Sequence, residues 1–299
     1  MSIFAILAVL LPDFTLILLG FVLFRHAGWG IEFWEGLGKL VYFFLFPALL
    51  FYATASTPLD FAQSSKLLQT ALFSVTGAIA LGWLAKLLFN AGPMIFESGV
   101  QTAFRFNSYV ALAVASRLAG DTGTSLMALI IGFAVPLCNM AAVHALAHNQ
   151  GGLVMALLKN PLLFATMAGM AFNFSGFQLP EPVGATLLRL GDASIALGLV
   201  TVGAGLRLSS ISSSPGIATY FILVKLLVLP AIAFFLGRWI GLTPLHLQIV
   251  VMFCALPTAS SAYMLAARMG GNGPFVAFIV SVGTMLSALT LPLWLLLVM

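Results

Sequence analysis

Charge is what this chain has least of. Its 299 residues include 12 lysines and arginines and 8 aspartates and glutamates, 7% in all, whereas a soluble domain carries about 25%. With 62% hydrophobic residues and a mean hydropathy of +1.13, the sequence is too apolar for a soluble core to absorb. Basic clusters are missing too. The cations are scattered singly, so the net charge of +4 does not describe a nucleic-acid surface. Cysteine is nearly absent: Cys138 and Cys254 both lie inside apolar runs, where they read as small buried thiols. No GxxxxGK[ST] loop occurs, so an ATP-driven pump would need a partner. Nor is there an HExxH motif. His144 and His148 are spaced i, i+4 without a third ligand and suit a helix end at the membrane interface better than a metal. An intramembrane enzyme needs a nucleophile with a base, or paired carboxylates at one depth, and no such set stands out.

What is present is a series of apolar runs of about 20 residues, the length of a bilayer-crossing helix. They read as an all-α integral membrane protein of ten segments, near 3–25, 34–55, 66–90, 97–118, 124–147, 155–174, 183–206, 216–239, 246–267 and 274–298. Turn chemistry separates them, as in "STPLD", "NAGP", "GFQLPEP" and "GGNGP". The first run has no basic residue ahead of it and no small-residue cleavage site after it, so it reads as a retained helix rather than a secretory signal. Trp29, Trp34, Trp83, Trp239 and Trp294 fall near segment ends, as interfacial anchors would.

Sliding the chain along itself brings Pro12 and Gly20 near Pro161 and Gly169, Pro93 onto Pro244, Arg117 onto Arg268 and Gly120 onto Gly271, at shifts of 149 to 151. Two halves of five segments follow, 1–150 and 151–299. An odd number of crossings per half makes them an inverted repeat. Lysines and arginines are more frequent in the odd-numbered loops than in the even ones, which places both termini outside.

The fourth and ninth segments, which the repeat pairs, have polar centres. Arg105, Asn107, Ser108 and Tyr109 interrupt "QTAFRFNSYVALAVASRLAG", and Pro257, Thr258, Ser260 and Ser261 interrupt "MFCALPTASSAYMLAARMGG". Proline removes a backbone donor and frees a carbonyl, which costs several kcal/mol in hydrocarbon unless another group compensates. In carriers with inverted repeats such broken helices cross near the bilayer midplane, and their half-helix N-termini face an anionic solute. Taken alone, the ninth segment reads equally as an ordinary proline kink or as a functional break; the matched break in the fourth favours a crossing.

The stretches "LPDFTLILLGFVLF", "LGKLVYFFLFPALLFYA" and "ALPTASSAYMLAARMGGNG", with the spacing of the ten segments, resemble the auxin efflux carrier family, whose bacterial members resemble malonate and other organic-acid carriers. The resemblance spans essentially the whole chain. It implies crossed broken helices 4 and 9, as in sodium/proton antiporters. It also implies a scaffold from helices 1, 2, 6 and 7, and a transport domain from helices 3–5 and 8–10. The family's crossover asparagine, a carboxylate binder, falls on Asn107, and its second-half crossover proline on Pro257. The family pattern has a further proline after the asparagine, where this chain reads "NSYVALAVA" with Val114 and none.

The expected function is therefore a secondary or facilitative carrier of a small organic anion, a mono- or dicarboxylate such as malonate, in the inner membrane. Asn107 and Arg105 are expected to hold carboxylate oxygens, Arg105 as a bidentate fork. Ser108, Tyr109, Thr258, Ser260 and Ser261 complete the shell, and Pro257 keeps the helix open. Asn139, more than Tyr42, is placed to face the crossing. Asp13, about ten residues into the first segment, is either a proton- or cation-linked carboxylate or the cap of a helix that starts later. Lys225 reads as half of a structural ion pair. No cofactor is expected; the coupling ion is H+, Na+ or neither. The partners are the anion and the bilayer, with a homodimer through the scaffold and no nucleic acid. A bile-acid:sodium-symporter-like carrier and a non-transporting intramembrane enzyme or sensor are the rivals, and flux measurements separate them.

Overall fold

A computed structural model describes residues 3–56, 61–146, 161–206, 214–259 and 261–299. The described residues are helical, joined by turns. The helices are α1 (Ile3–His26), α2 (Ile31–Ser56), α3 (Phe61–Leu88), α4 (Pro93–Gly99), α5 (Ser108–Leu146), α6 (Pro161–Phe174), α7 (Glu181–Ala204), α8 (Pro215–Ile240), α9 (Pro244–Ala255), α10 (Ser261–Arg268) and α11 (Gly273–Val298). Six described helical stretches are long and apolar enough to cross a bilayer: Ile31–Ser56, Ser64–Leu88, Pro93–Leu146, Glu181–Ala204, Pro215–Ile240 and Gly273–Val298. Along the helices, Thr54, Thr70, Ser74, Thr166, Thr201 and Thr284 donate their hydroxyls to the carbonyl four residues earlier. The helix thereby satisfies its own polar side chains in an apolar surrounding.

Proline shapes two of these spans. Pro47 and Pro230 each follow a widened π turn, Val41–Leu45 in α2 and Val224–Val228 in α8. Each proline lacks the N–H that its helix would give to residue i−4, and the extra residue in the preceding turn relieves the clash of the ring. For Pro230 the stranded acceptor is the Leu226 carbonyl, and Trp294 of α11 supplies the donor through Nε1 at 2.9 Å. Two tryptophans thus depart from the interfacial role expected of them. Trp294 repairs a helix break, and Trp34 is buried beside Phe24, Trp29 and Phe33.

Two pairs of helices touch backbone to backbone. A Cβ on Gly20 of α1 would run into the Val200 carbonyl of α7, and one on Gly169 of α6 would run into Thr54 and the Phe51 carbonyl of α2. Gly203 of α7 meets Ile17 of α1 in the same way. The Gly20–Val200 and Gly169–Phe51 contacts map onto each other by a shift of 149 residues, since 169 − 20 and 200 − 51 are both 149. The core that holds the crossing is formed by α3, α5, α8, α9 and α11, with α9 almost wholly buried.

The helix boundaries follow the apolar segments, with two differences. Ser108–Leu146 continues from the fourth segment into the fifth, and its arms, 108–118 and 121–146, meet where Ala119 and Gly120 leave helical geometry; Gly120 takes φ +56°, which a side chain would resist. The first segment is helical from Ile3 through Asp13, so Asp13 does not cap a later start.

Candidate functional site

Both polar-centred segments are interrupted. In the fourth, α4 tightens into a 3-10 turn at Val100–Ala103, residues 104–107 leave the helix, and α5 begins at Ser108. In the ninth, α9 ends at Ala255, Leu256 is extended at ψ 148° as the residue before a proline is biased to be, and α10 begins at Ser261. The fourth segment breaks without the proline that its family pattern supplies. Its break is held by side chains.

The interruptions meet. The Asn107 N–H donates to the Pro257 carbonyl at 2.9 Å, and the Thr258 hydroxyl donates to the Thr102 carbonyl at 2.7 Å. Phe106 and Phe253 pack edge to face with centroids 4.5 Å apart. Asn107 and Pro257 are 150 residues apart, within the 149 to 151 at which the sequence matches itself.

A helix end in an apolar surrounding must place each stranded backbone group. The Asn107 Oδ1 accepts from the N–H groups of Tyr109 at 3.0 Å and Val110 at 3.3 Å, an N-cap for α5. Those two N–H groups are therefore not open to a solute, contrary to the expectation that the half-helix N-terminus would offer them. The two backbone donors fix the orientation of the amide. Its Nδ2 is left buried with no partner among the described residues, on a residue only 2% exposed. On the carbonyl side, Phe104 O accepts from the Cys138 thiol at 3.5 Å, and Cys254 O accepts from the Lys225 ammonium at 2.8 Å. Phe104 and Cys254 are again 150 residues apart. Lys225 is thus anchored on a helix end, where a cation suits the carbonyl dipole, and not in the ion pair that its sequence position suggested.

Arg105 stands beside the break. Its Nη1 donates to Gln101 Oε1 at 3.1 Å, and its Nη2 donates to Asn139 Oδ1 at 2.9 Å and Ser261 Oγ at 3.3 Å. All three acceptors are neutral. Among the described residues the fork is positioned without an acidic partner, which leaves its charge un-neutralised there. Asn139 and Ser261 therefore lie beside the crossing, and both accept from the guanidinium. Tyr42 of α2 lies within its electrostatic reach. Gln101 was missed by sequence reasoning. It is fully buried, and its Nε2 donates to Ser98 O at 3.1 Å and to Ala262 O at 3.3 Å across the crossing. Its one signal was its position, one helical turn before Arg105.

The remaining expected residues divide. Ser108 opens α5 and is half-buried. The Tyr109 ring packs on Phe46 of α2 with centroids 4.7 Å apart, and a Cβ on Gly198 of α7 would strike it, so Tyr109 joins the crossing to α2 and α7. Thr258 ties the breaks together and has already committed its proton. Ser260 and His148 lie outside the described residues. Asp13 is buried, 1% exposed. It pairs through Oδ1 with Arg117 Nε at 2.8 Å, the arginine being 38% exposed, while its Oδ2 finds no partner. Cavities of about 360 Å³ (with Lys86, Glu97 and His144) and about 410 Å³ (with Tyr52, Phe177 and Glu181) contain none of the crossing residues.

Known proteins share this sequence pattern. The sequence profile of a family described as "Membrane transport protein" matches residues 148–295. Over 298 residues the chain is 23% identical to a Rhizobium meliloti (strain 1021) protein named "Putative malonate transporter", covering 95% of this chain and 93% of that one. It is 24% identical over 298 residues to an "Uncharacterized transporter" of Methanothermobacter thermautotrophicus, covering 94% of each. It is also 23% identical over 304 residues to the "Uncharacterized transporter YfdV" of Escherichia coli (strain K12), covering 95% of each. By that profile, residues 148–295 carry a domain of the auxin efflux carrier family of membrane transport proteins, and the similarity to proteins named as transporters runs end to end.

Proposed function

We propose that this protein is a secondary carrier that moves a small organic anion, a mono- or dicarboxylate of the size of malonate, by alternating access at the crossing of its fourth and ninth spans. One observation carries the reading: at the crossing, a buried amide donor, Asn107 Nδ2, has no partner among the described residues, and two residues away the Arg105 guanidinium donates there to neutral oxygens. A buried donor without an acceptor costs about 1–3 kcal/mol. A carboxylate offers acceptors to both groups and a charge to the arginine. The name of the Rhizobium meliloti relative agrees with this substrate class.

In this reading the chain crosses the inner membrane ten times, as two inverted halves with both termini outside. Helices 1, 2, 6 and 7 form a scaffold whose surface supports a homodimer, and the remainder carries the anion. Support comes from the glycine contacts that pair α1 with α7 and α2 with α6 at equivalent places, and from the equivalence of Asn107 with Pro257. Tyr109 against Phe46 and Gly198, and Arg117 against Asp13, lie on the seam between the two groups. Asp13 is the candidate for a proton- or cation-linked step at that seam.

The test is uptake of radiolabelled malonate and related acids into proteoliposomes holding the purified protein, with Asn107→Ala beside the parent. Uptake by the parent that Asn107→Ala loses supports the proposal. Equal uptake by both removes Asn107 from the site, and no uptake of any mono- or dicarboxylate removes the substrate class.

A further inference from the structure

Lys225 is not accounted for by anion binding. It is 2% exposed, its ammonium ends on the Cys254 carbonyl, and it sits in the π turn of α8 that Pro230 imposes and Trp294 braces. The turn touches α3, the 3-10 turn at Val100–Ala103, α9 and α11. None of these segments contains an aspartate or glutamate. The chain has no acidic residue after Asp192, and α3 supplies only Lys66 and Lys86 as charged groups. Most buried lysines are paired with a carboxylate. This one is paired with the carbonyl end of an interrupted helix.

In carriers built on crossed broken helices, C-terminal half-helix ends and unwound carbonyls hold the coupling cation. We propose that the Lys225 ammonium is a tethered cation that takes that place at the end of α9, so that the anion is carried without sodium. The inference rests on the carrier reading above and narrows it: a positive charge that sodium would have to bring is built into the chain. The Phe104 carbonyl, 150 residues earlier, receives only a thiol. The fixed charge therefore belongs to one half of the site.

Lys225→Ala removes the part of the side chain that propylammonium reproduces, and Lys225→Met keeps the volume without the charge. Parent uptake of labelled malonate is expected to be unchanged when N-methylglucamine replaces sodium. Both variants, eluting as monodisperse protein, should fall about tenfold in sodium-free buffer, equivalent to about 1.4 kcal/mol. Lys225→Ala should recover with propylammonium or sodium, and Lys225→Met should not. Binding of radioactive sodium to the detergent-purified chain is read in parallel: none for the parent, saturable binding for Lys225→Ala. Sodium-stimulated parent uptake overturns the inference. So does parental sodium-free uptake by Lys225→Met, or a folded Lys225→Ala that neither binds sodium nor recovers. If the parent takes up no carboxylate, the carrier reading fails, and the sodium-binding comparison still decides for or against Lys225.

Discussion

The fourth and ninth spans break at equivalent places by different means. The ninth carries a proline: Pro257 biases Leu256 toward the extended geometry that it takes, and the carbonyl end left there is taken by a lysine. The fourth has no proline and breaks as completely, because Asn107 caps the next helix, Arg105 reaches back to Gln101, and the neighbouring span accepts the Asn107 N–H. A helix opens inside a membrane wherever its stranded donors and acceptors find partners, and proline is one way among others of creating the need. The difference also divides the chemistry. The side-chain break brings an amide donor and a guanidinium to the crossing, while the proline break brings backbone carbonyls and hydroxyls.

The sharpest way to break this comparison is Asn107→Asp. Aspartate caps α5 as well as asparagine does, so thermal stability should hold, but it replaces the free donor with a negative charge. Malonate uptake should fall about a hundredfold, because like charges in a desolvated site cost several kcal/mol. Parental uptake would place the anion elsewhere. Next come Gly20→Ala and Gly169→Ala, which set a methyl against a carbonyl of α7 and of α2. Each should lower stability by about 1–3 kcal/mol, read as a melting shift, and the two shifts should match if the halves are equivalent. Arg105→Lys keeps the charge and loses the fork; the half-saturating malonate concentration should rise roughly tenfold, with less effect on maximal rate. Pro257→Ala should matter least, under about 1 kcal/mol in stability and less than twofold in uptake, since the Asn107 and Thr258 hydrogen bonds hold the break. A large loss there would return to proline the part assigned here to the crossing.

Much of this was legible in the residues. Apolar runs announce helices, and an Asn-Ser pair or a Pro-Thr pair at the centre of such a run announces a break, because each costs too much in hydrocarbon to be idle. The capping role of Asn107 was not read from the sequence, although asparagine is among the best N-caps. Nor was the partner of Lys225. Carbonyl oxygens carry no letter in a sequence, so a lysine that ends on a helix terminus looks like half of a missing ion pair. Trp294 was hidden for the same reason, its partner being the Leu226 carbonyl stranded by Pro230. Gln101 was obscured by its place outside the polar cluster, and its burial emerges only when α10 is folded against it.

The glycine contacts set a mechanical condition on any cycle of shape change. Where Gly20 lies on Val200, main chain meets main chain with no flexible side chain between to take up sliding, and where Gly169 lies on Phe51 only the short Thr54 side chain joins the backbone contact. Those joints act as welds. Displacement must be absorbed at softer boundaries, such as the aromatic face that Tyr109 presents to Phe46, where a ring can roll without separating the surfaces it joins.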